Sequence, residues 1–385
     1  MDRSNELKIL FIANVGMAIC LNMVGSLQSL YLMDLGATMI DVGYVYSLTS
    51  AVSLIFMLLS GLIVGEIRPG IIIGSSFVCL SISGILLAHA DDWRETIPFF
   101  ILNSSAYAIF IPVRMLVIAS LSKPSKIGIT YGLMNISWPI GGLLGPIVGG
   151  MIAERWGWHM LFYVMSLIAT ILVLPSLMLK VNVSNHGGRT KDRTLSLRRI
   201  AVNTVVFLIA YGLLSTARGM IDPILPIYLK ERFGMSKSEI GLFSSFGLGL
   251  ATMIIQIPSG ILGDRVGYKR TLLLFASLIP VIAFPWPFIT NVVMLGIMYM
   301  LLIGAWSATW SPSASYLVKM TREGELNIAM TLRQICIRAG FIIGPMVSSY
   351  AWMRLGLSET FEIVALLALV AFLILLLLKG DRRSS

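Results

Sequence analysis

The chain has 385 residues, of which 57% are hydrophobic and only 12% charged, with a formal net charge of +10. A soluble domain carries roughly 25% charge, so the composition excludes a separate soluble core and describes a polytopic membrane protein. The cysteines Cys20, Cys79 and Cys336 lie inside apolar stretches and the histidines His89, His159 and His186 are scattered, which argues against a disulfide framework and a metal cluster and leaves no cofactor to expect.

In chain order, apolar stretches of about 20 residues, the length of a transmembrane helix, fall near 9–31, 41–64, 70–89, 97–121, 128–152, 158–179, 201–228, 239–262, 271–289, 291–317, 328–352 and 360–378. These are spans 1 to 12. The first is too long for a secretory h-region and has no small-residue cleavage site, so it is expected to remain as a span. With the N-terminus inside, 19 of the 29 Lys and Arg residues fall on the inner side, 6 fall in outer loops and four arginines lie within spans. The positive-inside rule then predicts a multi-pass plasma-membrane protein with both termini cytoplasmic. The basic excess is a topology signal. Membrane lipids are therefore expected partners and nucleic acid is not.

The longest polar stretch, Lys180 to Arg199, carries six cations against Asp192 alone and includes Gly187-Gly188. It is expected to be a flexible cytoplasmic linker, 180–199, between an N-terminal six-helix bundle, 1–179, and a C-terminal one, 200–385. The halves repeat. Tyr131 to Leu174 aligns without gaps on the chain 199 residues later, matching Gly141 with Gly340, Gly145-Pro146 with Gly344-Pro345, Gly149 with Ser348 and Gly157 with Gly356. At an offset of 198, Asp41 meets Glu239, Gly43 meets Gly241 and Ser47 meets Ser245. Internal repeats of this kind are typical of secondary transporters.

Small residues at every fourth position form four helix faces: Gly43/Ser47/Ala51 in span 2, Gly141/Gly145/Gly149 in span 5, Gly241/Ser245/Gly249 in span 8 and Gly340/Gly344/Ser348 in span 11. Such faces let backbones approach closely, and Pro146 invites a bend. These faces are expected to form a rocking seam between the halves, with static packing as the alternative.

Charges within spans are costly and usually face a cavity or a partner. Arg114 lies in span 4, Arg218 and Asp222 in span 7, and Arg333 and Arg338 in span 11. Arg218 and Asp222, four residues apart, share a helix face and can pair. Asp222 is the expected proton carrier with Arg218 competing for its carboxylate; a purely structural pair is the alternative. Arg333, near the start of its span, is expected to snorkel to the inner headgroups. Arg338 is deeper and is expected in the cavity or paired across the bundle. Trp306, Trp310 and Ser313 recur at helical spacing, and with Trp138, Tyr107 and Tyr211 they suggest a site for a ring-bearing solute; interfacial anchoring is the alternative reading of the tryptophans. Asn22 is a polar residue of span 1 that can also line the site.

The chain resembles a major facilitator superfamily transporter across essentially its whole length. The most specific stretch is Gly260-Ile-Leu-Gly263-Asp264-Arg265-Val-Gly267-Tyr268-Lys269-Arg270, similar to the family's G-x-x-x-D-R-x-G-R-K/R loop. The resemblance implies an all-α fold of twelve transmembrane helices in two pseudo-symmetric bundles. It also implies a cytoplasmic gate at Gly260, Asp264, Arg265, Gly267, Lys269 and Arg270 that reaches the start of span 5. The first-half counterpart, with Gly65 where the family places Asp, is degraded. Span 5 carries Gly141-Gly142-Leu-Leu-Gly145-Pro146-Ile-Val-Gly149-Gly150, similar to the antiporter signature G-x-x-x-G-P-x-x-G-G. That similarity implies twelve-span drug/proton antiport, although Arg114 lacks the Gln-Gly that follows in the family and span 1 lacks a central acid. The function expected is secondary active transport of a small organic solute by alternating access, with protons as the coupling partner and a monomer as the working form. An organic-anion importer or exchanger using the arginines, and a non-transporting sensor, are the alternatives. No nucleophile–base pair or phosphate loop suggests an enzyme.

Overall fold

The computed structural model describes residues 3–63, 67–122, 127–181, 202–321 and 325–378. About 90% of the described residues are helical. In chain order its helices are α1 (Arg3–Gly25), α2 (Gln28–Asp34), α3 (Met39–Ile63), α4 (Pro69–Ala88), α5 (Thr96–Leu121), α6 (Ile127–Arg155), α7 (Gly157–Leu177), α8 (Val202–Phe233), α9 (Lys237–Ser245), α10 (Thr252–Val266), α11 (Tyr268–Ala283), α12 (Val292–Met320), α13 (Leu326–Arg354) and α14 (Leu357–Leu376). Twelve segments among the described residues are long and apolar enough to cross a membrane. Span 1 is α1 continued by α2 after a break at Ser26–Leu27, and span 8 is α9 and α10 joined by a π-helical turn, Phe246–Ala251. That turn coincides with Gly247, whose open side is filled by the Tyr299 ring.

Two compact units make up the chain. One holds α1, α2, α4 to α7, most of α3, and the segment Leu229–Ser245. The other holds Met39–Ser47 at the start of α3, α8 up to Tyr228, and α10 to α14. Residues 182–199 of the expected linker 180–199, and the first-half gate residues Gly65 and Glu66, lie outside the described residues.

Within each unit, close helix pairs form where glycines remove side chains. In the first, Gly70, Gly74 and Gly84 of α4 face Leu177, Leu179 and Ser166 at α7 and its C-terminal end. In the second, the buried Trp286 ring stacks on Phe361 at 5.2 Å, and Tyr228 meets the same ring edge-on at 5.4 Å. Hydroxyls inside the spans mostly donate to carbonyls of their own helix, as Ser76 does to Ile72 and Ser176 to Leu172. This is the usual way a polar group is satisfied where water is excluded.

Candidate functional site

The charged residues of the spans fall into three groups. On α8, which runs unbroken through Pro223 and Pro226 for 32 residues, Arg218 and Asp222 form an ion pair one turn apart. The Arg218 guanidinium also lies over the Trp306 ring, 5.8 Å from its centroid. The Arg218 side chain is 15% exposed, whereas that of Asp222 is 38% exposed.

Arg114 on α5 is buried in the first unit and donates through Nη2 to the Met134 carbonyl at 3.0 Å and to Asn135 Oδ1 at 2.8 Å on α6. The buried Asn14 of α1 reaches the Met134 sulfur. Arg333 does not snorkel. It is 5% exposed and donates through Nη2 to Ser313 Oγ at 2.8 Å, to the Trp310 carbonyl at 3.3 Å and to Tyr211 Oη at 3.4 Å, with its guanidinium 5.0 Å from the Tyr211 ring centroid. Helix α12 presents the Ser313 hydroxyl and the Trp310 carbonyl, and α8 the Tyr211 hydroxyl, so the arginine turns into the unit. Arg338 is half-buried. Tyr211 and Trp306 are buried, whereas Trp310 is 49% exposed, so the α12 tryptophans do not share one environment. Trp138 is half-buried and packs against Tyr107 at 5.1 Å, and Asn22 donates to the Ala18 carbonyl of its own helix.

A further cluster, where the ends of α2, α7, α8 and α9 meet, centres on Asp34, which closes α2. Trp158 Nε1 donates to it at 2.9 Å, and Lys230 and Lys237 each approach it at 3.4 Å. The Lys237 ammonium sits 4.1 Å from the Trp158 ring centroid, while its main-chain N–H donates to Glu154 Oε2 at 2.8 Å. Partial burial alone would raise the Asp34 carboxyl, but the indole N–H and the two ammonium groups outweigh it and hold the carboxyl below its usual range. The charge pattern of the sequence hides this cluster, because its members are 196 and 203 residues apart or sit in three different loops.

The glycine faces have different partners from those the repeat suggests. Gly141, Gly145 and Gly149 pack on α1, against Ala18, Ile19, Asn22 and Met23, so this stripe is not the contact with span 8. Likewise Gly340 and Gly344 pack on α8, against Ser215, Thr216, Gly219 and Met220. Spans 5 and 8 nevertheless meet, through Gly241 against the Pro146 carbonyl and the Gly150 backbone. Gly43 meets Ser349 and the Pro345 carbonyl of α13 in the corresponding way. Ser245 is buried and donates to its own helix, and Gly249 is buried in the π-helical turn. The stripe on one face of a helix identifies a close contact; which helix fills it depends on the bundle.

Between α10 and α11, Gly267 has φ +99°, a conformation that side chains disfavour, and it caps both helices. Tyr268 Oη donates to Asp264, and the Tyr268 ring occupies the space left by Gly263. Lys269 Nζ donates to the Leu376 and Leu378 carbonyls at the end of α14. Arg265 and Arg270 are exposed, and Gly260 lies next to Ser311. The loop before span 5 to which this segment was expected to reach includes residues 123–126, outside the described residues.

The Major Facilitator Superfamily model matches residues 10–208 and again 207–385. The chain belongs to that superfamily. Among curated relatives, it is 28% identical over 71% of its length to a multi-drug resistance efflux pump PmrA homolog of Lactococcus lactis, covering 69% of that protein. It is 23% identical to PmrA of Streptococcus pneumoniae serotype 4 over 94% of this chain and 93% of that one. The fold matches a bacterial homolog of the human lysosomal transporter Spinster, solved in an inward-facing and occupied conformation, with a TM-score of 0.81 and 12% identity over 97% of this chain and 96% of that one. The nucleoside transporter NupG gives a TM-score of 0.80 at 17% identity, covering 97% and 99%. The chain is thus a multi-pass membrane transporter with the superfamily's twelve-span fold. Asp34 and Arg333 are the two residues of this superfamily member that reading the sequence undervalued.

Proposed function

We propose that this transporter is a proton-coupled exporter of a small organic solute, working by alternating access in the plasma membrane with both termini in the cytoplasm. The observation that carries this reading is the Arg218–Asp222 pair on α8, with its carboxylate part-exposed and its arginine held over Trp306. Ionised Asp222 holds Arg218. A proton on Asp222 removes that ion pair and changes which arrangement of the surrounding helices is favoured. Efflux is supported by the likeness to the PmrA multi-drug resistance efflux pumps, and cytoplasmic termini by the excess of Lys and Arg on one side.

In this reading each unit contributes its own candidate solute-facing residues: Trp138, Asn22 and Arg114 in the first, and Trp306, Tyr211, Trp310 and Arg338 in the second. The Gly260–Arg270 loop serves as the cytoplasmic latch, and Gly241 against Pro146 is a close contact along which helices slide. The Asp34 cluster closes the outer side.

The test is a screen of lipophilic solutes in proteoliposomes with an imposed pH gradient. Solute flux should follow the gradient in the native protein, lose its pH dependence in Asp222→Asn, and regain part of it in Asp222→Glu. Gradient-driven flux that persists unchanged in Asp222→Asn would remove Asp222 from the coupling step.

A further inference from the structure

The internal repeat places Arg114 opposite Ser313 and Met134 opposite Arg333, each at the offset of 199. The alignment is secured in space by the helix ends. Ser122 and Thr321, also 199 apart, each close their helix with a hydroxyl bond to the carbonyl four residues earlier. In both units, then, one arginine ties the same two helices at the same place. In the first it stands on α5 and bonds α6; in the second it stands on α13 and bonds α12. The residue has exchanged helices while the cation has stayed.

Both arginines are satisfied in the same incomplete way. Each is more than nine-tenths buried, and among the described residues each makes its hydrogen bonds through Nη2, to neutral oxygens. On each, Nε is buried without a partner. Among the described residues no carboxylate pairs with either one. A guanidinium has five N–H donors and keeps its charge. Buried without a counter-charge it is costly, and neutral acceptors offset that cost only in part. The Nε–H and the neighbouring Nη–H form the edge on which a carboxylate or sulfonate docks in a two-point contact, and here the Nε–H of that edge has no partner.

From these observations we infer that Arg333 is an anion-binding residue, and that the solute handled by the second unit carries a carboxylate or sulfonate. The inference rests on the transporter reading above and narrows its substrate class. Ser313 and the Trp310 carbonyl fix Nη2, so the guanidinium is held in place before the anion arrives. Tyr211, stacked on Phe207 with centroids 5.5 Å apart, backs it with an aromatic face. Desolvation at this depth strengthens the pairing. Arg218 differs, because Asp222 already neutralises it.

The experiment compares 2-naphthoate with its neutral isostere 2-naphthamide. Binding of each to the purified full-length protein in phosphatidylcholine nanodiscs is measured by thermal shift and by titration calorimetry. The native protein should bind naphthoate more tightly than naphthamide by about tenfold or more, the range expected for a charge-assisted contact in a desolvated site. Arg333→Met should abolish that preference, and Arg333→Lys should keep it in weakened form. Equal binding of the two probes by the native protein, or no binding of naphthoate at all, overturns the inference without requiring any variant to fold. It is overturned too if the naphthoate preference survives in Arg333→Met. Stabilisation by phosphatidylglycerol nanodiscs that needs Arg333 and blocks naphthoate would assign the arginine to a lipid headgroup and overturn the solute reading. Gradient-driven transport of neutral solutes together with no anion preference would sink this inference and leave the proposed function standing.

Discussion

Asp34→Asn isolates the charge of the outer cluster. Asparagine keeps an oxygen for the Trp158 indole but removes the two ion pairs, both at 3.4 Å. The side chains are 33% exposed for Asp34, 49% for Lys230 and 26% for Lys237, so surface-like values apply. Two such pairs contribute about 0.5–2 kcal/mol together, which corresponds to a factor of about 2–30 in the population held shut. Spin labels at Arg94 and Glu231, both exposed, on a background with the three native cysteines replaced, report the separation of these outer ends. The long-distance fraction should rise in Asp34→Asn, and further in Asp34→Ala, which also frees the indole. An unchanged distance distribution in both variants would refute the idea that the cluster holds the outer ends together. The sign of the pH effect follows from the depressed carboxyl. The stabilisation is fully present above the ordinary carboxyl value of 3.8 and is lost only as pH falls below it, through the depressed value. Over the neutral range the cluster is therefore insensitive to pH, and Asp34 is unsuited to carry the coupled proton.

Gly241→Ala places a methyl group against the Pro146 carbonyl and the Gly150 backbone, neither of which yields as a side chain would. It should cost about 1–3 kcal/mol and lower the thermal midpoint, whereas Gly132→Ala, with open space around its Cα, should be neutral or slightly stabilising. Gly267→Ala forces a side chain into φ +99° at the α10–α11 junction, for a loss of roughly 1–3 kcal/mol read by the same melt. Asp222→Asn and Arg333→Met are expected to separate: the first removes pH dependence of flux, the second removes anion preference.

The number of helices was readable because a membrane permits little else. An apolar run of spanning length must satisfy its own backbone, so it becomes a helix wherever it occurs. The repeat was readable for the same reason: Gly145-Pro146 and Gly344-Pro345 serve the same backbone need in each half. The Arg218–Asp222 pair was readable because four residues along a helix always bring side chains together. What lay beyond the sequence were contacts made between distant helices. The stripe Gly141/Gly145/Gly149 declares that some backbone comes close, but only the bundle decides that it is α1. Arg333 sits near enough to a span end to reach headgroups, and only the placement of Ser313, Trp310 and Tyr211 turns it inward. Asp34, Trp158, Lys230 and Lys237 are unremarked loop residues until four helix ends are laid side by side. Local periodicity is fixed by the chain's own geometry, whereas the identity of a neighbour is fixed by how whole helices pack, and a single helix carries no record of that.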